Sequence, residues 1–217
     1  MAEHITFSRR GAFAGLALPG RFGQAEGPAG LTVAVRTTVA IAQVVARPGR
    51  TDEVSSAVAA AMGLTLPAPL RVSAAGPVVA AWTGPGRWLV MQDEAGSGPY
   101  PAGSFVGRVA EACRGAASVT DQTDAQGVLR LSGPRTRDVL AKGLALDLHP
   151  RAFRAGMAAS TLCGMVEVTL WQTDDTPTYD VAVMRGYAGS FWHWLGESAA
   201  EYGLVVAPQD DARAGAG

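Results

Sequence analysis

Ala102-Gly103-Ser104-Phe105 and Ala188-Gly189-Ser190-Phe191 are the same four residues, each opening a helix-like run, at an offset of 188 − 102 = 86. A second anchor shares that offset. Pro48 follows an apolar, strand-like run and precedes a helix-like run with Asp52, Glu53 and Val54. Pro134, at 48 + 86, follows Leu129-Arg130-Leu131 and precedes Arg137, Asp138 and Val139. Two anchors at one offset predict an internally duplicated α+β fold. Each half reads strand, proline turn, helix, strand pair, helix, a β-α-β-β-α unit written twice. Residues 31–116 form the first repeat and 117–205 the second, between an extended N-terminal arm (1–30) and a flexible tail (206–217).

Local patterns fill in the repeat. Val33 to Ala46 is rich in β-branched residues and reads as a strand. Thr51-Asp52-Glu53 supplies an N-cap and first-turn acids, Val54, Val58, Ala61 and Met62 recur at helical spacing, and Gly63 stops the helix. Val78 to Trp82 and Trp88 to Met91 flank Thr83-Gly84-Pro85-Gly86 as a hairpin. Ser97 to Pro101 reads as a loop, and Gly103 to Cys113 as a helix. In the second half, Ser118 to Asp121 and Gly127 to Leu131 are strands, and Pro134 suits a first helical position. Met165 to Trp171 and Tyr179 to Met184 make a hairpin around Thr173 to Pro177. Ser190 to Tyr202 is the last helix.

Composition narrows the function classes. Hydrophobic residues make up 48% of the 217 and charged residues 17%, below the roughly 25% charged of an average soluble domain. A chain short of charge hides apolar surface, either in an Ala-rich core or at an interface with other subunits. No run of about 18 apolar residues predicts a membrane span. The net charge of −1 offers no basic footprint for nucleic acid. Cys113 and Cys163 are the only cysteines, a number and context that favour reduced, structural thiols. Ser8-Arg9-Arg10 superficially matches a twin-arginine export signal, but the apolar stretch behind it is short and ends at Pro19-Gly20; the expectation is a cytoplasmic protein.

Catalytic and ligand motifs are missing from the sequence. Gly84-Pro85-Gly86 lacks a third glycine, and its proline removes an amide that would face phosphate. His4, His149 and His193 are scattered, with no cysteine or histidine at zinc spacing. Asp174-Asp175 reads as a solvated turn. Catalytic, cofactor-binding and metal residues are therefore all assigned as none. The arm holds six glycines and two prolines within residues 1–30, yet Phe7, Phe13, Leu16, Leu18 and Phe22 are too apolar for a solvated tail. In Phe191-Trp192-His193-Trp194-Leu195, residues 191, 194 and 195 share a helical face and Trp192 lies about a quarter turn away. Phe13, Phe22 and Trp192 are the expected interface residues, because aromatic side chains are enriched at interfaces.

Several segments carry a family resemblance. Leu16-Ala17-Leu18-Pro19-Gly20-Arg21-Phe22-Gly23, Trp82-Thr83-Gly84-Pro85-Gly86-Arg87-Trp88-Leu89-Val90, Val119-Thr120-Asp121-Gln122, Leu129-Arg130-Leu131-Ser132-Gly133-Pro134 and Arg185 to Trp192 resemble the gamma subunits of heterotetrameric sarcosine oxidases. The Asp121-Gln122 to Pro134 stretch also resembles the aminomethyltransferase (glycine-cleavage T-protein) folate-binding superfamily, whose fold is an internally duplicated α+β unit. The resemblance implies a non-catalytic assembly subunit with alpha, beta and delta partners. The complex would oxidise the N-methyl group of sarcosine to give glycine, hydrogen peroxide and formaldehyde or 5,10-methylenetetrahydrofolate. It places FAD, FMN, NAD, tetrahydrofolate and zinc on the partner subunits. Two competing readings are a subunit of a related N-methyl amino-acid oxidase or dehydrogenase, and a stand-alone folate-dependent enzyme of the T-protein type. For the latter, no acidic folate anchor is matched.

Overall fold

A computed structural model describes residues 10–93 and 104–208. Phe7, His4, Ser8-Arg9, the loop expected at Ser97 to Pro101, Ala102-Gly103 and the end of the expected tail lie outside the described residues. The strands and helices run in the order β1 (Gly20–Phe22), β2 (Leu31–Arg36), β3 (Val39–Ala46), α1 (Thr51–Met62), β4 (Val72–Ala75), β5 (Val78–Gly84), β6 (Arg87–Asp93) and α2 (Phe105–Ala112). They continue with β7 (Ala117–Asp121), β8 (Gln126–Ser132), α3 (Thr136–Ala141), β9 (Ala158–Cys163), β10 (Val166–Asp174), β11 (Thr178–Met184), α4 (Ala188–Ala199) and β12 (Leu204–Val206).

The strands form two sheets with one shared order. The first runs β4-β5-β6-β3-β7. The second runs β9-β10-β11-β8-β2 and is extended by β12 and β1. Position for position, β4 matches β9, β5 matches β10, β6 matches β11 and β3 matches β8. The duplication is thus a β-β-α-β-β-β-α unit, two strands richer than the sequence suggests. The outermost matching strands are exchanged: β7 of the second half pairs with β3, and β2 of the first half pairs with β8. Even the turns correspond. The β4–β5 turn holds Gly76 at φ 57° and the β9–β10 turn holds Gly164 at φ 58°, a left-handed conformation that glycine adopts without steric cost.

The Val33–Ala46 run is therefore two strands, not one. β2 alternates buried and half-buried residues, with Leu31, Val33 and Val35 inward. β3 is buried almost continuously from Val39 to Ala42, as a strand covered on both faces must be. Between them Thr37-Thr38 carries the chain from one sheet to the other. The helix starts also differ in detail from expectation. Thr51 is the first residue of α1, with Arg50 at the N-cap, and Pro134 lies just outside α3, whose N-cap is Arg135. The repeated tetrapeptide plays two local roles. The Ser104 side chain caps α2 by accepting from the Gly107 N–H. Ser190 lies inside α4, which begins at Ala188 after a tight turn at Arg185–Tyr187. Phe105 and Phe191 are nevertheless both fully buried.

Helices cover the outer face of each sheet, and the inner faces meet. Val54 and Val58 of α1 with Phe105 and Val109 of α2 pack on Ala42, Val44, Ala80 and Val90. Val139 and Leu140 of α3 with Phe191 and Leu195 of α4 pack on Val33, Leu129, Val168 and Val181. Between the sheets, Val39, Ile41, Ala81, Leu89 and Met91 face Val128, Ala158, Trp171 and Ala182. One ion cluster spans this layer. The Asp180 carboxylate, 1% exposed, accepts from Arg130 Nε at 2.8 Å and Nη2 at 2.9 Å, and from Arg36 Nη1 at 2.7 Å. Arg36 also pairs with Asp93 at the end of β6 in the opposite sheet.

Removing one member of a buried ion cluster leaves charges without a partner, at a cost of about 3–5 kcal/mol. Asp180→Ala is expected to destabilise the fold by about that much in chemical denaturation. The two thiols give a second test. Cys113 and Cys163 are free and buried, and burial pushes the Cys163 thiol up to about 12. A thiolate is the reactive species, so both cysteines should resist alkylation at mildly alkaline pH. Mass spectrometry should detect their labelling only after denaturation.

Candidate functional site

The N-terminal segment is built onto the second sheet rather than left free. Phe13 is 1% exposed and belongs to the core beneath α4. The chain makes room for it with a glycine: a Cβ on Gly127 of β8 would come within 2.8 Å of the Phe13 ring. Trp192 of α4 meets that ring edge-on, with centroids 6.4 Å apart. Further along, β1 pairs with β12. The Arg21 guanidinium donates to the carbonyls of Gln24 at 3.0 Å and Gly27 at 2.8 Å, closing the loop that follows.

The three expected interface residues thus separate. Phe13 is committed to this chain's own core, because its ring fills a slot between β8 and Trp192. Trp192 is half-buried against it. Phe22 is 45% exposed, and it lies near Leu16 and Leu18 in sequence, which are 38% and 59% exposed. Leu16 and Leu18 belong to the surface, and only their apolar spacing in the arm marked them in the sequence. The α4 face expected from periodicity is present: Phe191 and Leu195 are buried and His193 is exposed. Trp194 packs on Phe191 and closes over Gly143, where a Cβ would come within 2.6 Å of the indole.

Other charged groups serve the fold. Lys142 donates to the Ser198 carbonyl at 2.6 Å, pairs with Glu201 and lies over the Tyr202 ring, joining the ends of α3 and α4. The Lys142 hydrogen bond holds the Glu201 carboxyl below its usual range. Asp174 closes the β10–β11 turn by accepting from the backbone N–H of Thr176 at 2.9 Å and Thr178 at 3.0 Å. Burial works to raise its pKa, but the hydrogen bonds from Thr176 and Thr178 outweigh burial and lower it. Among the described residues, no three His, Cys, Asp or Glu side chains gather as a metal site. No described helix is long and apolar enough to cross a membrane.

A family model described as "Sarcosine oxidase, gamma subunit family" matches residues 48–201. The chain belongs to the sarcosine oxidase gamma subunit family. Membership gives it a subunit's role in sarcosine oxidase, an oxidoreductase complex. The sarcosine oxidase subunit gamma of Corynebacterium sp. (strain P-1) is 30% identical over 181 residues, covering 82% of this chain and 85% of that one. A chain of the heterotetrameric sarcosine oxidase of Corynebacterium sp. U-96, solved in complex with pyrrole 2-carboxylate, superposes with a TM-score of 0.74 at 25% identity. That match covers 89% of this chain and 96% of the other. The glycine cleavage system aminomethyltransferase T of Bartonella henselae has the same fold, with a TM-score of 0.56 at 15% identity over 82% of this chain and 48% of that one.

Truncating a buried aromatic residue costs about 3–5 kcal/mol. Phe13→Ala is therefore expected to lower stability by about that amount and to release the segment before β1. Limited proteolysis should cut the variant within residues 10–19 faster than it cuts the wild-type chain there.

Proposed function

We propose that the chain is a non-catalytic assembly subunit of a heterotetrameric sarcosine oxidase, holding the partners together while the chemistry takes place on them. The observation that supports this reading is the superposition over nearly the whole length of a chain in the Corynebacterium sp. U-96 complex. The proposed partners are the alpha, beta and delta subunits, carrying FAD, FMN, NAD, tetrahydrofolate and zinc, and the complex is proposed to be cytoplasmic. The two repeats, 31–116 and 117–205, would act as one scaffold; within the described residues the arm of residues 1–30 is held to the second sheet by Phe13 and β1 while Leu16, Leu18 and Phe22 stay exposed, and Val206, expected in the tail, belongs to β12.

The surface proposed to meet a partner combines Leu16, Leu18 and Phe22 with the free edge of Trp192. Leu16, Leu18 and Phe22 are exposed and Trp192 is half-buried, and exposed apolar side chains grouped in a patch are a common mark of an interaction site. Phe13 supports this surface from beneath.

Co-expression with the three partner genes tests the proposal. Phe22→Ala should leave folding stability within about 0.5 kcal/mol, as surface substitutions do. Truncating an interface hot spot costs roughly 2 kcal/mol or more of association, so Phe22→Ala and Trp192→Ala should both reduce the chain's recovery with the complex. Turnover per assembled complex should stay near the wild-type value. Full assembly with lost turnover would place this chain in the chemistry and end the assembly reading.

A further inference from the structure

The layer between the two sheets changes character at one end, and it does so on most of the strands that face it; β11 is the exception, where Ala182 is followed by Met184. Side chains on one face of a strand recur every second residue. On β3 the inward series Val39, Ile41 continues to Gln43. On β5 Ala81 is followed by Thr83, and on β6 Met91 and Leu89 give way to Arg87. Across the gap, Trp171 of β10 is followed by Thr169 and then Glu167, and Ala158 of β9 by Ser160. The apolar members form the inter-sheet core. The polar members line a cleft of about 290 Å³ where the sheets part, joined there by Gln122 from the β7–β8 connection and Gln126 at the start of β8.

Ser160 and Thr169 hydrogen-bond each other at 2.9 Å, but the rest of the polar lining is not satisfied by the chain itself. Thr83 Oγ1 and Gln122 Oε1 are shut off from solvent without a hydrogen-bond partner, a condition that costs about 1–3 kcal/mol for each buried group. Among the described residues, the Gln43 and Gln126 side chains form no hydrogen bond, and Arg87 and Glu167 form no ion pair. Arg87 stands on one sheet and Glu167 on the other. Gly84 lets the guanidinium fold against the hairpin backbone, since a Cβ there would lie 3.1 Å from Arg87 Nε and from Nη2.

A cation and an anion on facing sheets, with carboxamides and hydroxyls lining the same cleft, complement a small molecule that carries both charges. We propose that this inter-sheet cleft binds a small zwitterion of the amino-acid class. Arg87 takes the carboxylate, and Glu167 with the Gln122 carbonyl oxygen takes the ammonium group. The proposal is independent of the assembly reading, because every residue it uses lies on this chain.

The test titrates the full chain, within its complex if it purifies that way, with glycine as the minimal zwitterion. Acetate and methylammonium serve as single-charge controls. Binding is read by calorimetry and by saturation transfer to the ligand. In a complex, the difference between wild type and the near-isosteric Glu167→Gln variant separates this cleft from any amino-acid site on a partner. The expected result is saturable glycine binding that weakens about tenfold or more, a loss of about 1.4 kcal/mol, in both Glu167→Gln and Arg87→Ala. Neither control should compete. Gln122→Leu should weaken binding as well, with an unchanged circular dichroism spectrum. No wild-type binding attributable to the cleft overturns the proposal. So does glycine binding that survives both charge variants, or acetate binding as tightly as glycine. If Arg87→Ala fails to fold, Glu167→Gln and Gln122→Leu decide the matter by the same criterion.

Discussion

Exchange of the leading strand between halves is the constraint from which the rest of this architecture follows. β2 pairs with β8 through five aligned residues, Thr32 to Arg36 against Ser132 to Val128, and β7 completes the other sheet beside β3. Neither half closes its own sheet. The crossing at Thr37-Thr38 brings Arg36 to the seam, where Asp180 and Asp93 meet it from opposite sheets. A buried carboxylate held by two guanidiniums adds little net stability compared with apolar packing, but it is costly to break. Its role here is positional, since it fixes how one sheet lies on the other.

The repeat was legible because it rests on features that survive divergence: a proline between strand and helix, and a large aromatic residue on the buried face of a helix. Phe105 and Phe191 keep the same place although the serines before them do different work. The strand exchange was not legible. Val33 to Ala46 contains β-branched residues on both sides of the crossing, and its polar interruption, Arg36-Thr37-Thr38, is compatible with an edge position in a single strand. β4 and β9 were missed because they are short and Ala-rich, a composition with weak strand preference. β12 depends on a parallel pairing with β2, about 170 residues away in sequence, a separation that local pattern does not encode.

The docking of the arm was half legible. Aromatic spacing in the arm correctly pointed to docking but could not tell an intramolecular from an intermolecular dock. That distinction lies in Gly127, whose missing side chain opens the slot for Phe13. A glycine in a strand signals close approach of something, without naming what approaches. The inter-sheet cleft was invisible for a related reason. Gln43, Thr83, Arg87 and Glu167 are unremarkable polar residues until the two sheets set them at the same level.

Strand exchange also fixes an order of events on the ribosome. The first sheet cannot be completed until β7 has emerged, although β3 through β6 are already synthesised. β2 must wait longer still, with its hydrogen-bonding edge unpaired until β8 follows it by about ninety residues. Unpaired strand edges in a growing chain are open to pairing with the wrong neighbour. The feature that ties the two halves of the finished molecule together therefore makes its nascent form dependent on shelter, from a chaperone or from a rapid arrival of the second half.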